Sequence, residues 1–108
     1  MNLHPNKPEK IVDSVLTELK LPYKFVGDGQ IIIHGKCPDF INCNGQKKII
    51  EVFGDYWHRE KKNLKFHQTE KGTRTIYRKY GYQTLVVWES ELVNIEKVKE
   101  KILEFDKK

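Results

Sequence analysis

Asp39-Phe40-Ile41-Asn42-Cys43-Asn44-Gly45-Gln46-Lys47-Lys48-Ile49-Ile50-Glu51-Val52-Phe53 is the stretch on which the fold turns. Two strand-like runs, Asp39 to Cys43 and Lys47 to Phe53, flank Asn44-Gly45, the strongest short-range hairpin signal in a sequence. Side chains alternate faces along a strand. Asp39 and Glu51 therefore share a face only if the positions paired across the hairpin sum to an even number. A two-residue Asn44-Gly45 turn makes that sum odd and separates them. A three-residue loop with Gly45 left-handed in a G1 bulge makes it even, and this form is expected.

Outward from the hairpin, the other elements follow from periodicity. Ile11, Val12, Val15, Leu16 and Leu19 fall at helical spacing after Pro8, which a first helical turn tolerates because its missing N–H has no partner there. Leu21-Pro22 stops this helix, and Gly27-Asp28-Gly29 marks a turn. The β-branched run Ile31-Ile32-Ile33 predicts the first strand. Residues 54–68 are polar and basic with weak periodicity, a loop or short helix. A helix from about Thr69 to Tyr80 ends at Gly81, which suits a left-handed C′ position. Thr84 to Trp88 is a continuous apolar run expected as a buried strand, and Ile95, Val98, Ile102 and Phe105 share one face of a last helix. The order α-β-β-β-α-β-α predicts an α/β fold, with one mixed sheet flanked by helices and closed by a C-terminal helix.

The 108 residues suit one domain, 1–108, with a single core. No apolar run approaches a membrane span and no signal-peptide h-region opens the chain. Cys37 and Cys43 are too few for a disulfide framework, so a cytoplasmic compartment is expected. The net charge is +5, and its distribution says more than its size. Residues 1–39 balance five Lys against five acids, residues 40–80 carry ten Lys/Arg against four acids, and residues 81–108 carry five Lys against six acids. An anionic partner is expected at the central stretch. There Lys47, Lys48, Arg59, Lys61, Lys62, Lys65, Lys71, Arg74, Arg78 and Lys79 are interleaved with Tyr56, Trp57, Phe66, Tyr77 and Tyr80, a phosphate-contacting pattern. Helical spacing also puts Tyr77 and Tyr80 on one core-facing side.

Asp39 and Glu51, on neighbouring strands, are a carboxylate pair able to share a hard divalent cation such as Mg²⁺, with Mn²⁺ the alternative. The competing reading is a pair of strand-end acids facing solvent. His58, in Gly54-Asp55-Tyr56-Trp57-His58, has a side chain that can take a proton from water near neutral pH, although a histidine beside aromatics commonly serves packing or capping. The spacing of Cys37 and Cys43 with His34 and His67 is not a zinc pattern.

Pro38-Asp39-Phe40, Ile49 to His58 and Gly81 to Glu89 together resemble the very short patch repair endonucleases. They also resemble the related phage and intron homing endonuclease domains of the E-D-x-H-D pattern, both within the PD-(D/E)xK nuclease superfamily. The resemblance runs from about Glu9 to Leu92. It implies a restriction-endonuclease-like α-β-β-β-α-β core and a phage or prokaryotic type of protein. It makes Asp39 the metal-ligating aspartate and puts Glu51 at the variable ligand position, where a backbone carbonyl can serve instead. His58 becomes the general base, Glu9 a supporting glutamate, and Glu70 stands where the family has an aspartate. The superfamily's lysine two residues after Glu51 is replaced by Phe53, which moves the burden to His58. The repair enzymes' zinc cluster and DNA-wedging loops are missing, which favours the homing type.

The resemblance thus implies an Mg²⁺-dependent endodeoxyribonuclease domain acting on double-stranded DNA. It would be either part of a longer protein with its own recognition domain or a homodimer. The alternatives are a mismatch-nicking repair endonuclease and a non-catalytic nucleic-acid-binding module of the same fold. A protein-interaction domain with Tyr56 and Trp57 as an exposed anchor is the remaining reading.

Overall fold

The computed structural model describes residues 4–55 and 63–108. Helix α1, Lys7–Glu18, begins at a capping box. The Asn6 side chain accepts from the Glu9 N–H at 2.9 Å, and the Glu9 carboxylate accepts from the Asn6 N–H at 2.8 Å. Strands β1 (Tyr23–Phe25), β2 (Phe40–Asn42) and β3 (Lys48–Phe53) form an antiparallel set. Helix α2 (Glu70–Lys79) then carries the chain to β4 (Gln83–Trp88), which runs parallel to β3, and helix α3 (Ile95–Lys107) closes the fold. The sheet order is β1-β2-β3-β4. The α/β class, the mixed sheet and the order of elements agree with expectation. No described helix is long and apolar enough to cross a membrane.

The first strand does not lie where the sequence placed it. It is Tyr23–Phe25, while Ile31-Ile32-Ile33 contributes only a one-pair bridge between Ile33 and Lys36. The β-branched run signals burial rather than a ladder. Ile33 packs with Ile49 and Tyr77, and the chain turns back at once through His34 and Gly35, both at positive φ. Tyr23-Lys24-Phe25 alternates buried and exposed but is too short to stand out in sequence.

Alternation along β3 sends its residues to two layers. Ile50 packs with Phe40, Leu85 and Val87 under α1 and α3, whose Val12, Leu16, Val98 and Ile102 fill the larger core. Ile49 faces α2, against Tyr77, and Glu51 follows it on that side. Helix α2 is N-capped by Thr69, whose hydroxyl accepts from the Gly72 N–H at 3.0 Å. It ends as expected at Gly81, with φ 87°. Gly72 is required by close approach, since a Cβ there would collide with the Phe66 carbonyl oxygen. That contact locks the 3-10 turn Phe66–Gln68 onto the first turn of α2.

Candidate active site

The hairpin parity decides whether a site exists, and it is even. Phe40 lies opposite Ile50 and Ile41 opposite Ile49, so Asp39 falls opposite Glu51 on the α2 side of the sheet. The connection is longer than a three-residue bulged loop. Residues 43–47 join the strands, with Gly45 left-handed and the Asn42 side chain accepting from the N–H groups of Asn44 and Gln46 at 2.8 and 3.1 Å. Five residues keep the parity of three, so the carboxylates share a face as expected.

Asp39 is gripped from both neighbouring strands. Its carbonyl accepts from the Val26 N–H at 2.7 Å, extending the β1–β2 ladder, and its Oδ2 accepts from the Val52 N–H at 2.8 Å. Glu51 is buried in mid-strand, and the Tyr77 hydroxyl of α2 donates to its Oε1 at 2.8 Å. Glu9, also buried, arrives from the start of α1, aimed by its capping box. Its charge acts on both Asp39 and Glu51. Three acids, from the start of α1, the residue ahead of β2 and the middle of β3, thus meet at one place.

The electrostatics follow from that crowding. Burial, then the charges of Glu51 and Glu9, push the Asp39 carboxyl well above the ordinary carboxylate range, against the pull of the Val52 N–H. Burial also raises Glu51. The Tyr77 and Asp39 hydrogen bonds and the charge of Lys36 hold it down in part. Tyr77 is itself pushed far up by burial and by Glu51, so its hydroxyl remains a donor. A pair of oxygen donors that pay an energetic penalty for being charged together is the donor set a hard cation relieves. Val52 and Tyr77 take one oxygen of each acid, and the hydrogen bond that Asp39 and Glu51 share is the contact such an ion would replace. Among the described residues no group of three or more His, Cys, Asp or Glu is arranged to hold a metal. An ion here would take Asp39 and Glu51 and fill its remaining positions with water, backbone or phosphate oxygens, the habit of Mg²⁺.

The other sequence-predicted residues divide. Glu70, at the first turn of α2, is occupied elsewhere. Its Oε2 meets Arg74 at 3.0–3.1 Å and its Oε1 accepts from the Trp88 indole at 2.7 Å. Arg74 also donates to the Thr84 carbonyl at 2.7 Å, so its guanidinium is committed to the fold. Lys48 is buried, its ammonium on the carbonyls of Asp106 and Lys108 at 2.7 and 3.0 Å. Lys47, by contrast, is exposed, 5.4 Å from the Tyr82 ring centre. His58, Arg59, Lys61, Lys62, Tyr56 and Trp57 lie outside the described residues.

Sequence reasoning missed two residues of this cluster. Tyr77 carried a core signal but none that aimed its hydroxyl at Glu51. Tyr80, expected on the same core-facing side, is instead 45% exposed at the C-cap and bonded to His34 at 2.7 Å. Lys36 carried no signal at all, since only the folded turn brings it beside Glu51.

No protein-family model and no curated protein matches the chain. A solved structure, the catalytic domain of the homing endonuclease I-Bth0305I, does match. It is 30% identical, has a TM-score of 0.70, and the match covers 94% of this chain and 94% of that one. At that identity over nearly the whole of both chains, this chain belongs to the family of the I-Bth0305I catalytic domain.

Proposed function

We propose that this chain is the catalytic domain of a metal-dependent DNA endonuclease of the homing type, within the PD-(D/E)xK superfamily and akin to the very short patch repair enzymes. The observation that carries the reading is the meeting of Asp39 and Glu51 on one face, beside Glu9, in a domain of that family. A DNA-binding module gains nothing from gathering buried acids, which repel phosphate unless a cation joins them.

Asp39 and Glu51 would hold Mg²⁺ or Mn²⁺, which when bound neutralises phosphate charge and polarises phosphorus. Asp39, pinned by Val26 and Val52, holds its carboxyl in a fixed direction toward Glu51, and Tyr77 sets the orientation of Glu51. Glu9 gives one oxygen to its own helix cap and hydrogen-bonds Asp39, and in a metal-bound site it would turn to orient water. His58 is the general base in this reading. Its imidazole takes the proton of the attacking water, the task Phe53 cannot perform at the superfamily's lysine position. Glu70 acts by position: it holds Trp88, whose ring packs edge-on to Phe53 at 5.3 Å, close before the segment that carries His58.

Double-stranded DNA is the proposed substrate, gripped by Lys47 together with Arg59, Lys61 and Lys62. Sequence choice, or the second cut, comes from an attached recognition domain or a second copy. The test is nicking of supercoiled plasmid with Mg²⁺ or with EDTA, by wild type and Asp39→Asn. Metal-dependent nicking that disappears in the variant is expected. Folded wild type that binds DNA in a salt-sensitive way yet never cuts would make this a non-catalytic binding module.

A further inference from the structure

The chain between β1 and β2 does not run freely over the surface. Ile33 and Lys36 exchange backbone hydrogen bonds of 2.8 and 3.0 Å around His34 and Gly35, whose φ values are 51° and 75°. A residue with a side chain sits at positive φ only where its surroundings over-determine it, and here three contacts fix the turn along α2. Ile33 is buried against Ile49 and Tyr77. The His34 Nδ1 and Tyr80 hydroxyl are 2.7 Å apart, with their rings tilted 33° at 5.5 Å. The Lys36 ammonium donates to the His67 carbonyl at 2.8 Å, just ahead of α2.

The outcome of this clamp is the position of one charge. Through Ile33 the turn packs on Tyr77, whose hydroxyl holds Glu51, and the charge of Lys36 acts on that carboxylate, whose neighbours include Asp39 and Glu9. A phosphodiester approaching three acids needs positive charge from the protein as well as from a cation. Phe53, in place of a lysine on β3, packs on Trp88 and supplies none. The partner that Lys36 has at present is a neutral carbonyl on an exposed turn. A long flexible side chain exchanges such an acceptor readily for an anionic oxygen, with which its hydrogen bond is stronger.

We propose that Lys36 binds the phosphate at the cleavage site, delivered from the β1–β2 turn by exchange of the His67 carbonyl for a phosphate oxygen. The inference rests on the nuclease reading for its setting, but its test stands apart. Lys36→Gln keeps a donor for the His67 carbonyl and removes the charge, whereas Lys36→Arg keeps the charge. Binding to a mixed-sequence DNA duplex is measured across a salt series with Ca²⁺ in place of Mg²⁺, and plasmid nicking is measured with Mg²⁺. Lys97→Ala, at an exposed position on α3, is the control.

Loss of one phosphate contact lowers the slope of log K against log salt by about 0.9. This is expected for Lys36→Gln alone, with nicking slowed on the order of 100-fold and largely restored in Lys36→Arg. An unchanged salt slope in folded Lys36→Gln overturns the proposal, even if nicking falls, because the lysine then serves only the turn. If wild type binds DNA but never nicks it, the endonuclease reading fails while the salt slope still decides the role of Lys36.

Discussion

Replacing Asp39 with Asn should stabilise the metal-free protein while removing its cutting activity. Asn keeps the acceptor for the Val52 N–H, so the local backbone is undisturbed. Its amide also supplies permanently the donor to Glu51 that Asp39 offers only while it holds a proton, and it cannot ionise beside Glu51 and Glu9. A hydrogen bond to a charged group contributes about 2 kcal/mol, which corresponds to a rise of about 8–16 °C in Tm for a domain of this size. The pH dependence has a definite sign. Asp39 and Glu51 both have folded pKa values above their unfolded ones, so the folded chain keeps protons that the unfolded chain releases. Wild type therefore loses stability as pH climbs from about 4, the unfolded carboxylate value, up to the raised folded values. The gap between Asp39→Asn and wild type opens over that range and is small below it.

The assay is thermal unfolding by circular dichroism in EDTA between about pH 4 and pH 8, repeated with Mg²⁺. Mg²⁺ is expected to raise the wild-type Tm, because ligation discharges the same crowding, and to leave the variant's unchanged. A folded Asp39→Asn whose Tm in EDTA near neutral pH is equal to or below that of wild type would refute the reasoning. The acids would then not be crowded, and the case for a cation between them would fall.

Other perturbations reach different parts of the site. Tyr77→Phe removes the donor to buried Glu51 at nearly constant volume and should cost about 1.5–3 kcal/mol in urea unfolding; an unchanged midpoint would mean that another donor serves Glu51. His58→Ala should abolish plasmid nicking while leaving duplex affinity nearly intact, and joint loss of binding and cutting would make His58 structural. Gly72→Ala should destabilise by about 1–3 kcal/mol, because the Phe66 carbonyl must move to admit the methyl. Native stability in that variant would show the 3-10 turn ahead of α2 to be free to shift.

The sequence by itself determined whatever depends on neighbours along the chain. Helical spacing of apolar residues located α1 and α3, a continuous apolar run located β4, Gly81 marked the end of α2, and Asn44-Gly45 placed β3 and the hairpin that brings Asp39 to Glu51. Glu9 was named only through the family resemblance, and the capping box with Asn6 that aims it emerged in the fold. The tertiary structure decided what depends on residues remote in the chain. It turned Ile31-Ile32-Ile33 from a strand into a clamped turn, since the partners of Ile33 are Ile49 and Tyr77. It set Lys48 on the end of α3 and Arg74 on Glu70 and Thr84, because a basic side chain takes the nearest acceptor the fold offers. Packing likewise set the Tyr77 hydroxyl on Glu51 and left Lys36 on the His67 carbonyl, near enough for its charge to act on that acid. Sequence spacing fixes which face of an element a side chain occupies, but the packing of one element on another chooses what that side chain touches.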